Sequence, residues 1–259
     1  MNFPAGWLAP DGGIAGCGAV MSGRAGGTSA APFDSMNVGS AVGDDAAAVA
    51  ANRRRLSELI GAAPVFLRQV HGVSIVRVGR SDAADGAPVH EADGCVTIET
   101  GVACVVQAAD CLPVLLAAPE GRAVGAAHAG WRGLAGGVVE AAVAAVGAAA
   151  RCAPDEICAW LGACIGPTRF EVGSDVLAAF GADAGALGSD TPSGFVPRGG
   201  GKWLADLSGL ARDRLVAAGV RRIDGGHWCT VSDSSRFFSF RRDGVTGRMA
   251  AAIWIVPSI

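Results

Sequence analysis

"AADCLPVLL" (residues 108–116) and "RAVGAAHAG" (122–130) decide how the rest of the chain reads. Each is a short apolar run of strand length, the pattern of a buried strand. Each also carries polar chemistry at one end. Asp110 and Cys111 stand before the first run, and His128 stands at the exit of the second. In a chain with only four histidines, an acid, a thiol and an imidazole at strand ends demand a reason. Cys111 has three readings: a buried core thiol, a nucleophile, or a metal ligand.

Working outward, "VACVVQA" (102–108) and "GCVTIET" (94–100) read as further strands, as do "ICAWLGACIG" (157–166) and "MAAAIWIV" (249–256). In "PVFLRQVHGVSIVRVG" (64–79), two short strands meet near His71. Short strands are also expected around Cys229 and in "RFFSFRR" (236–242). "DDAAAVAANRRRLSELIGA" (44–62) predicts a helix capped by Asp44 or Asp45 and stopped by Gly61. "LAGGVVEAAVAAVGAAARC" (134–152) predicts one helix with tolerated glycines, and "SDVLAAFGA" (174–182) is helix-like. "ADLSGLARDRLVAAG" (205–219) predicts an amphipathic helix with Asp206 at its start and Gly219 at its end. Residues 11–43 and 181–200 are rich in turn signals. Strands and helices mix without strict alternation, and no repeat or linker interrupts them. The expectation is a single mixed α/β domain over residues 1–259.

Composition narrows the function. Hydrophobic residues make up 51% of the chain and the mean hydropathy is +0.38, mostly from Ala and Val. The net charge is −3 and no basic block is present, which disfavours a nucleic-acid partner. The longest Ala/Val stretch, Val138 to Ala150, contains Glu140 and is too short to span a bilayer, so no membrane association is expected. The first residues lack the pattern of a signal peptide, and the expected location is the cytoplasm. The eight cysteines form no CxxC pair and are expected to be free thiols. No long apolar stripe suggests a partner subunit, and a monomer is expected.

His71, Cys111 and His128 share one trait: each ends an apolar strand beside a glycine or a polar break. Two His and one Cys form an accepted zinc set when the fourth position stays open. Their spacings, 40 and 17 residues, match no short zinc-finger pattern. Asp110 cannot remain buried and unpaired, so it should orient a ligand histidine, bind a cation or act as acid/base. Trp131 and Arg132 follow His128 at a helix entrance, where an aromatic plane beside an anion grip suits a ring-bearing substrate. A thiol enzyme is the main rival, with Cys111 as nucleophile and His128 or His71 as base. Copper is the alternative metal, since His₂Cys sets also occur in copper sites. With only His90 and His227 left over, a multicopper cluster has too few imidazoles.

A long string of motifs in one order resembles the YfiH-type family, whose members carry labels such as laccase-domain protein, polyphenol oxidase, peptidoglycan editing factor and purine nucleoside phosphorylase. The string includes "SGRAGGTSAAPFDSMNVG", "RQVHG", "ADCLPVLL", "HAGWRGL", "LGACIGPTRFEVG" and "CTVSDSSRFFSFRRDGVTGRMAAAIW". Phe33, Trp203 and Phe240 stand where members often have Tyr, and His227 stands where an acidic residue is common. The resemblance implies an α/β/β/α sandwich similar to the catalytic fold of the necrotizing-factor toxins. It implies one zinc on His71, Cys111 and His128, and phosphorolysis of adenosine, inosine and methylthioadenosine with an accompanying adenosine deaminase activity. The partners implied are a small-molecule nucleoside and phosphate. Arg24, Asn37, Gln69, Asp110 and Arg132 match motif positions around the implied pocket, with Asp110 as candidate acid and Arg24 or Arg132 as phosphate ligands. A Cys–His hydrolase of peptidoglycan precursors and a copper polyphenol oxidase are the alternative activities.

Overall fold

In the computed structural model, residues 3–181 and 193–257 are described. Most of the turn-rich 181–200 stretch therefore lies outside the described residues. Along the chain the elements are β1 (Cys17–Met21), α1 (Ala46–Ile60), β2 (Ala63–Val65), β3 (Ile75–Arg77), β4 (Gly94–Thr97), β5 (Val102–Ala108), β6 (Leu112–Ala117) and β7 (Val124–Ala129). There follow α2 (Trp131–Gly136), α3 (Val138–Ala150), β8 (Cys158–Leu161), β9 (Glu171–Val172), α4 (Ser174–Ala179), β10 (Phe195–Gly199) and β11 (Lys202–Ala205). The last are α5 (Leu207–Ala217), β12 (Arg222–Gly225), α6 (Phe240–Asp243) and β13 (Met249–Ile255).

Three sheets form. Six strands run in the order β12-β8-β6-β7-β4-β3, four in the order β1-β13-β5-β2, and three in the order β10-β11-β9. The two larger sheets contain both parallel and antiparallel pairs. Their central strands are largely apolar because both faces are covered, and side chains alternate between two cores. From β6, Leu115 and Ala117 enter the core between the two large sheets, with Val106, Met249, Ala251 and Ile253. Leu112, Val114 and Leu116 enter the core on the other face, with Val139, Val143 and Val146 of α3 and Leu215 of α5. Ala103 and Val105 of β5 likewise turn outward to meet Leu56 and Ile60 of α1. The layers are therefore α/β/β/α, as the resemblance implied.

The helix ends follow their capping chemistry. The Asp45 carboxylate accepts from Ala48 N at 2.8 Å, and Gly61 closes α1 in the left-handed conformation. Asp206 caps α5 by accepting from Gly209 N at 2.9 Å. Where one helix was expected over 134–152, two are found. Gly137 adopts φ 99° and ends α2, and α3 starts immediately after it.

Other elements differ from the sequence expectation. β2 and β3 do not meet as a pair: β2 joins β5, β3 joins β4, and His71 lies in the connection between two sheets. "RFFSFRR" forms a turn and the short α6 instead of a strand. Cys229 makes an isolated bridge to Cys164 and no ladder. β1, β9 and β12 lie in segments whose polar or glycine-rich flanks masked their strand character. All eight cysteines are free, and no helix among the described residues is long and apolar enough to cross a membrane.

Candidate metal centre

The turn before β6, the exit of β7 and the β2–β3 connection converge at one end of the six-stranded sheet. The β6–β7 register pairs Leu112 with Ala129, so the next step brings Cys111 beside Gly130. A Cβ on Gly130 would lie 2.8 Å from His71 Cδ2 and 3.0 Å from Cys111 Sγ. Only a residue without a side chain lets the three segments close up there. Cys111 Sγ lies 3.8 Å from His71 Nε2, and the His71 and His128 rings meet edge to face with centroids 4.8 Å apart. One donor atom from each of His71, Cys111 and His128 falls within 4.8 Å of the others. His128 is buried, Cys111 half-buried and His71 exposed, so the group has a closed floor and an open mouth.

Asp93 fixes this arrangement, and the sequence reading missed it. Fully buried at the entry to β4, its Oδ1 accepts from His128 Nδ1 at 2.9 Å. That leaves Nε2 of His128 as the nitrogen for the donor group. The same carboxylate accepts from three consecutive amides: Val70 N (3.1 Å), His71 N (2.9 Å) and Gly72 N (2.6 Å). These bonds hold the turn in which His71 takes φ 61°, a conformation unfavourable for a residue with a side chain. One buried acid thus orients two of the three donors. The available signal was the "EADGCV" stretch: an acid flush against an apolar strand raises the same satisfaction problem as Asp110.

The electrostatics suit a thiolate. Burial opposes ionisation of Cys111, but the charges and hydrogen bonds of His128 and His71 outweigh it and bring the thiol down to about 6. Burial also opposes protonation of His128, but Cys111 and Asp93 outweigh it and raise the imidazole to about 9. Burial alone would raise the Asp93 carboxyl; its bonds to His128, Gly72 and Val70 hold it below the ordinary range. A soft thiolate and two imidazoles with one orienting carboxylate form a donor set that could hold a transition metal such as zinc or copper.

The remaining expected site residues divide. Asp110 does not orient a ligand histidine: its Oδ1 accepts from Thr230 Oγ1 at 2.5 Å and its Oδ2 from Arg241 N at 2.6 Å. It tethers α6 and the Thr230 segment beside Cys111, each oxygen accepting one hydrogen bond. Gln69 clamps β5, exchanging two 2.8 Å bonds with the backbone of Gln107. Asn37 is fully buried, and its amide is used up on Gly39, Asp44 and Arg248 N. Arg24 is committed to Asp34 and to the Ser234 carbonyl. Trp131 packs partly into the core, and exposed Arg132 lies over its ring at 4.2 Å. His90 pairs with Asp82 and His227 lies tilted against Trp228, and neither joins the donor group.

The fold and this site can be set beside known proteins. Residues 18–256 match a family model described as multi-copper polyphenol oxidoreductase laccase. A protein of Pseudomonas aeruginosa named purine nucleoside phosphorylase is 46% identical over 251 residues, covering 96% of this chain and 98% of that one. The Escherichia coli protein named purine nucleoside phosphorylase YfiH is 42% identical over 252 residues, covering 96% and 97%. Among solved structures, a Neisseria meningitidis protein superposes with a TM-score of 0.86 at 41% identity, over 97% of this chain and all of that one.

Proposed function

Because the chain belongs to the multi-copper polyphenol oxidoreductase laccase family and aligns end to end with relatives named purine nucleoside phosphorylase, we propose that it is a zinc-dependent purine nucleoside phosphorylase. The observation that carries this reading is the donor group itself: His71, Cys111 and His128 converge with Asp93 behind them. The substrates are adenosine, inosine and methylthioadenosine, with deamination of adenosine as an accompanying reaction. The site of action is the cytoplasm, in keeping with eight free thiols.

In phosphorolysis a phosphate oxygen bonds to C1′ of the ribose as the bond from C1′ to the purine breaks. The base leaves with the electron pair and takes up a proton, giving ribose 1-phosphate and free purine. In deamination a water oxygen adds at C6 and ammonia departs. Bound zinc supplies Lewis acidity and makes hydroxide accessible near neutral pH. The protein's own part is to keep Cys111 as thiolate, hold His128 by Nδ1 and present the exposed His71 side to a small molecule. Zinc is favoured over copper because, among the described residues, no second cluster of imidazoles stands near this one.

A second reading has one specific observation in its favour. Cys111, His128 and Asp93 stand in the order nucleophile, base and orienting acid, which suits a thiol hydrolase such as one acting on peptidoglycan precursors. One experiment separates the two. The protein is incubated with adenosine and phosphate before and after chelation, alongside Cys111→Ala, with metal content measured in each sample. Ribose 1-phosphate formed with one zinc per chain and lost on chelation supports the phosphorylase. Turnover that survives chelation but not Cys111→Ala transfers the case to the thiol enzyme.

A further inference from the structure

Phosphorolysis needs an anion site, and of the two arginines expected to provide it Arg24 is engaged elsewhere, while Arg132 is exposed and lies over the Trp131 ring. Arg24 spends all three guanidinium nitrogens on Asp34 and Ser234. Arg241 donates to the Glu171 carbonyl and lies over Phe170, and Arg242 is spent on Asp243 and three backbone carbonyls. Arg248, directly before β13, is different. Its Nη1 donates to the carbonyls of Thr246 (3.0 Å) and Gly247 (3.1 Å). Its Nε and Nη2 have no acceptor among the described residues, and neither is sealed from solvent.

Several features hold that side chain in place. The Asn37 amide oxygen accepts from Arg248 N at 2.8 Å. Gly39 clears its path, since a Cβ there would come within 2.8 Å of Arg248 Cγ. The guanidinium lies 5.8 Å from the ring of the exposed Phe240, and the next residue, Arg241, donates its N–H to Asp110. Burial lowers the Arg248 pKa, while the charges of Cys111 and Asp110 act in the opposite sense. The guanidinium is joined to the donor group through α6: it lies beside Phe240, and the amide of the next residue is held by Asp110, the chain neighbour of Cys111.

We propose that the free Nε–Nη2 edge of Arg248 binds the phosphate substrate, gripping two oxygens of one tetrahedral anion. Two parallel N–H donors on a pre-positioned guanidinium match that geometry. Asn37 then acts as a positioning residue for Arg248, not as a ligand of the substrate. The choice of phosphate rests on the phosphorylase reading; the anion site itself rests on Arg248.

The test is calorimetric titration of the purified, metal-bearing protein with inorganic phosphate, for the wild type, Arg248→Lys, Arg248→Gln and Arg132→Gln. Separate KM values for phosphate and adenosine are measured alongside. Arg248→Gln should weaken phosphate binding about ten- to hundredfold, the loss expected for charged hydrogen bonds. The phosphate KM should rise in step while the adenosine KM changes little, with Arg248→Lys intermediate. The Lys variant retains the charge if the Gln variant misfolds, and melting temperature and metal content report on that. Unchanged phosphate binding in both Arg248 variants overturns the assignment. So does a wild type that binds no phosphate, or a loss confined to Arg132→Gln. Phosphate binding that depends on Arg248 without any ribose 1-phosphate would keep the anion site and remove the phosphorylase reading.

Discussion

Asp93 ties the chemistry together at the scale of single residues. Its replacement by Asn keeps the shape but removes the charge that orients His128 and balances three amides. Partners of this kind contribute about 10- to 100-fold to metal affinity, so Asp93→Asn should weaken zinc binding by that factor in a competitive chelator titration. The thiol offers a second measurement in the metal-free protein. Because His128 and His71 depress the Cys111 pKa to about 6, its thiolate should persist well below the ordinary thiol range near 8.5. Iodoacetamide should alkylate Cys111 with a midpoint near pH 6, rising toward the ordinary value in His128→Ala. A depressed acid contributes stability above its unfolded pKa and loses it as pH falls through about 6. The raised imidazole of His128 contributes below its unfolded pKa and loses it as pH rises through about 9. Between those limits both charges of the pair are present.

At the scale of elements, β5, β6, β7 and β13 were legible because strands buried on both faces leave uninterrupted apolar runs. α1 and α5 were legible because Asp45 and Asp206 are real caps. His71, Cys111 and His128 stood out as polar residues at the ends of such runs, a local signal. Asp93 and Arg248 did not, since their roles depend on which segments the topology brings together. Asn37, Gln69 and Asp110 lie near the same region, but their bonds run to the scaffold, and spacing could not tell a scaffold amide from a ligand. The break between α2 and α3 was hidden because glycines within a helix and glycines ending one look alike in sequence. Its energetics can be measured. Gly137 sits at φ 99°, so Gly137→Ala should destabilise the protein by about 1–2 kcal/mol in urea unfolding. Metal content should stay unchanged. At Gly130, by contrast, added bulk points at the donor atoms. Gly130→Ala should cost metal affinity out of proportion to stability, as read from metal content and melting temperature together.

For the whole molecule, the donor group is assembled from segments that the two large sheets and their helices hold in place. Metal binding should therefore stabilise an existing fold more than create one. At a free zinc concentration of about 100 times Kd, linkage adds about 2.7 kcal/mol, which for a chain of this length raises Tm by roughly 5–10 °C. The rise should vanish in Cys111→Ala, with the far-ultraviolet circular dichroism spectrum of the metal-free protein unchanged. The placement of β13 carries a different consequence, one of timing. Among the described residues β13 follows every other strand, yet it lies between β1 and β5, and β1 pairs with no other strand. During synthesis β1 must wait at the ribosome, the edge that β13 covers unclaimed, until β13 emerges. Arg248 arrives with it. A nascent chain stalled before Met249 should remain sensitive to protease across 17–21, and only release of the remaining residues should close the sheet and make that segment resistant.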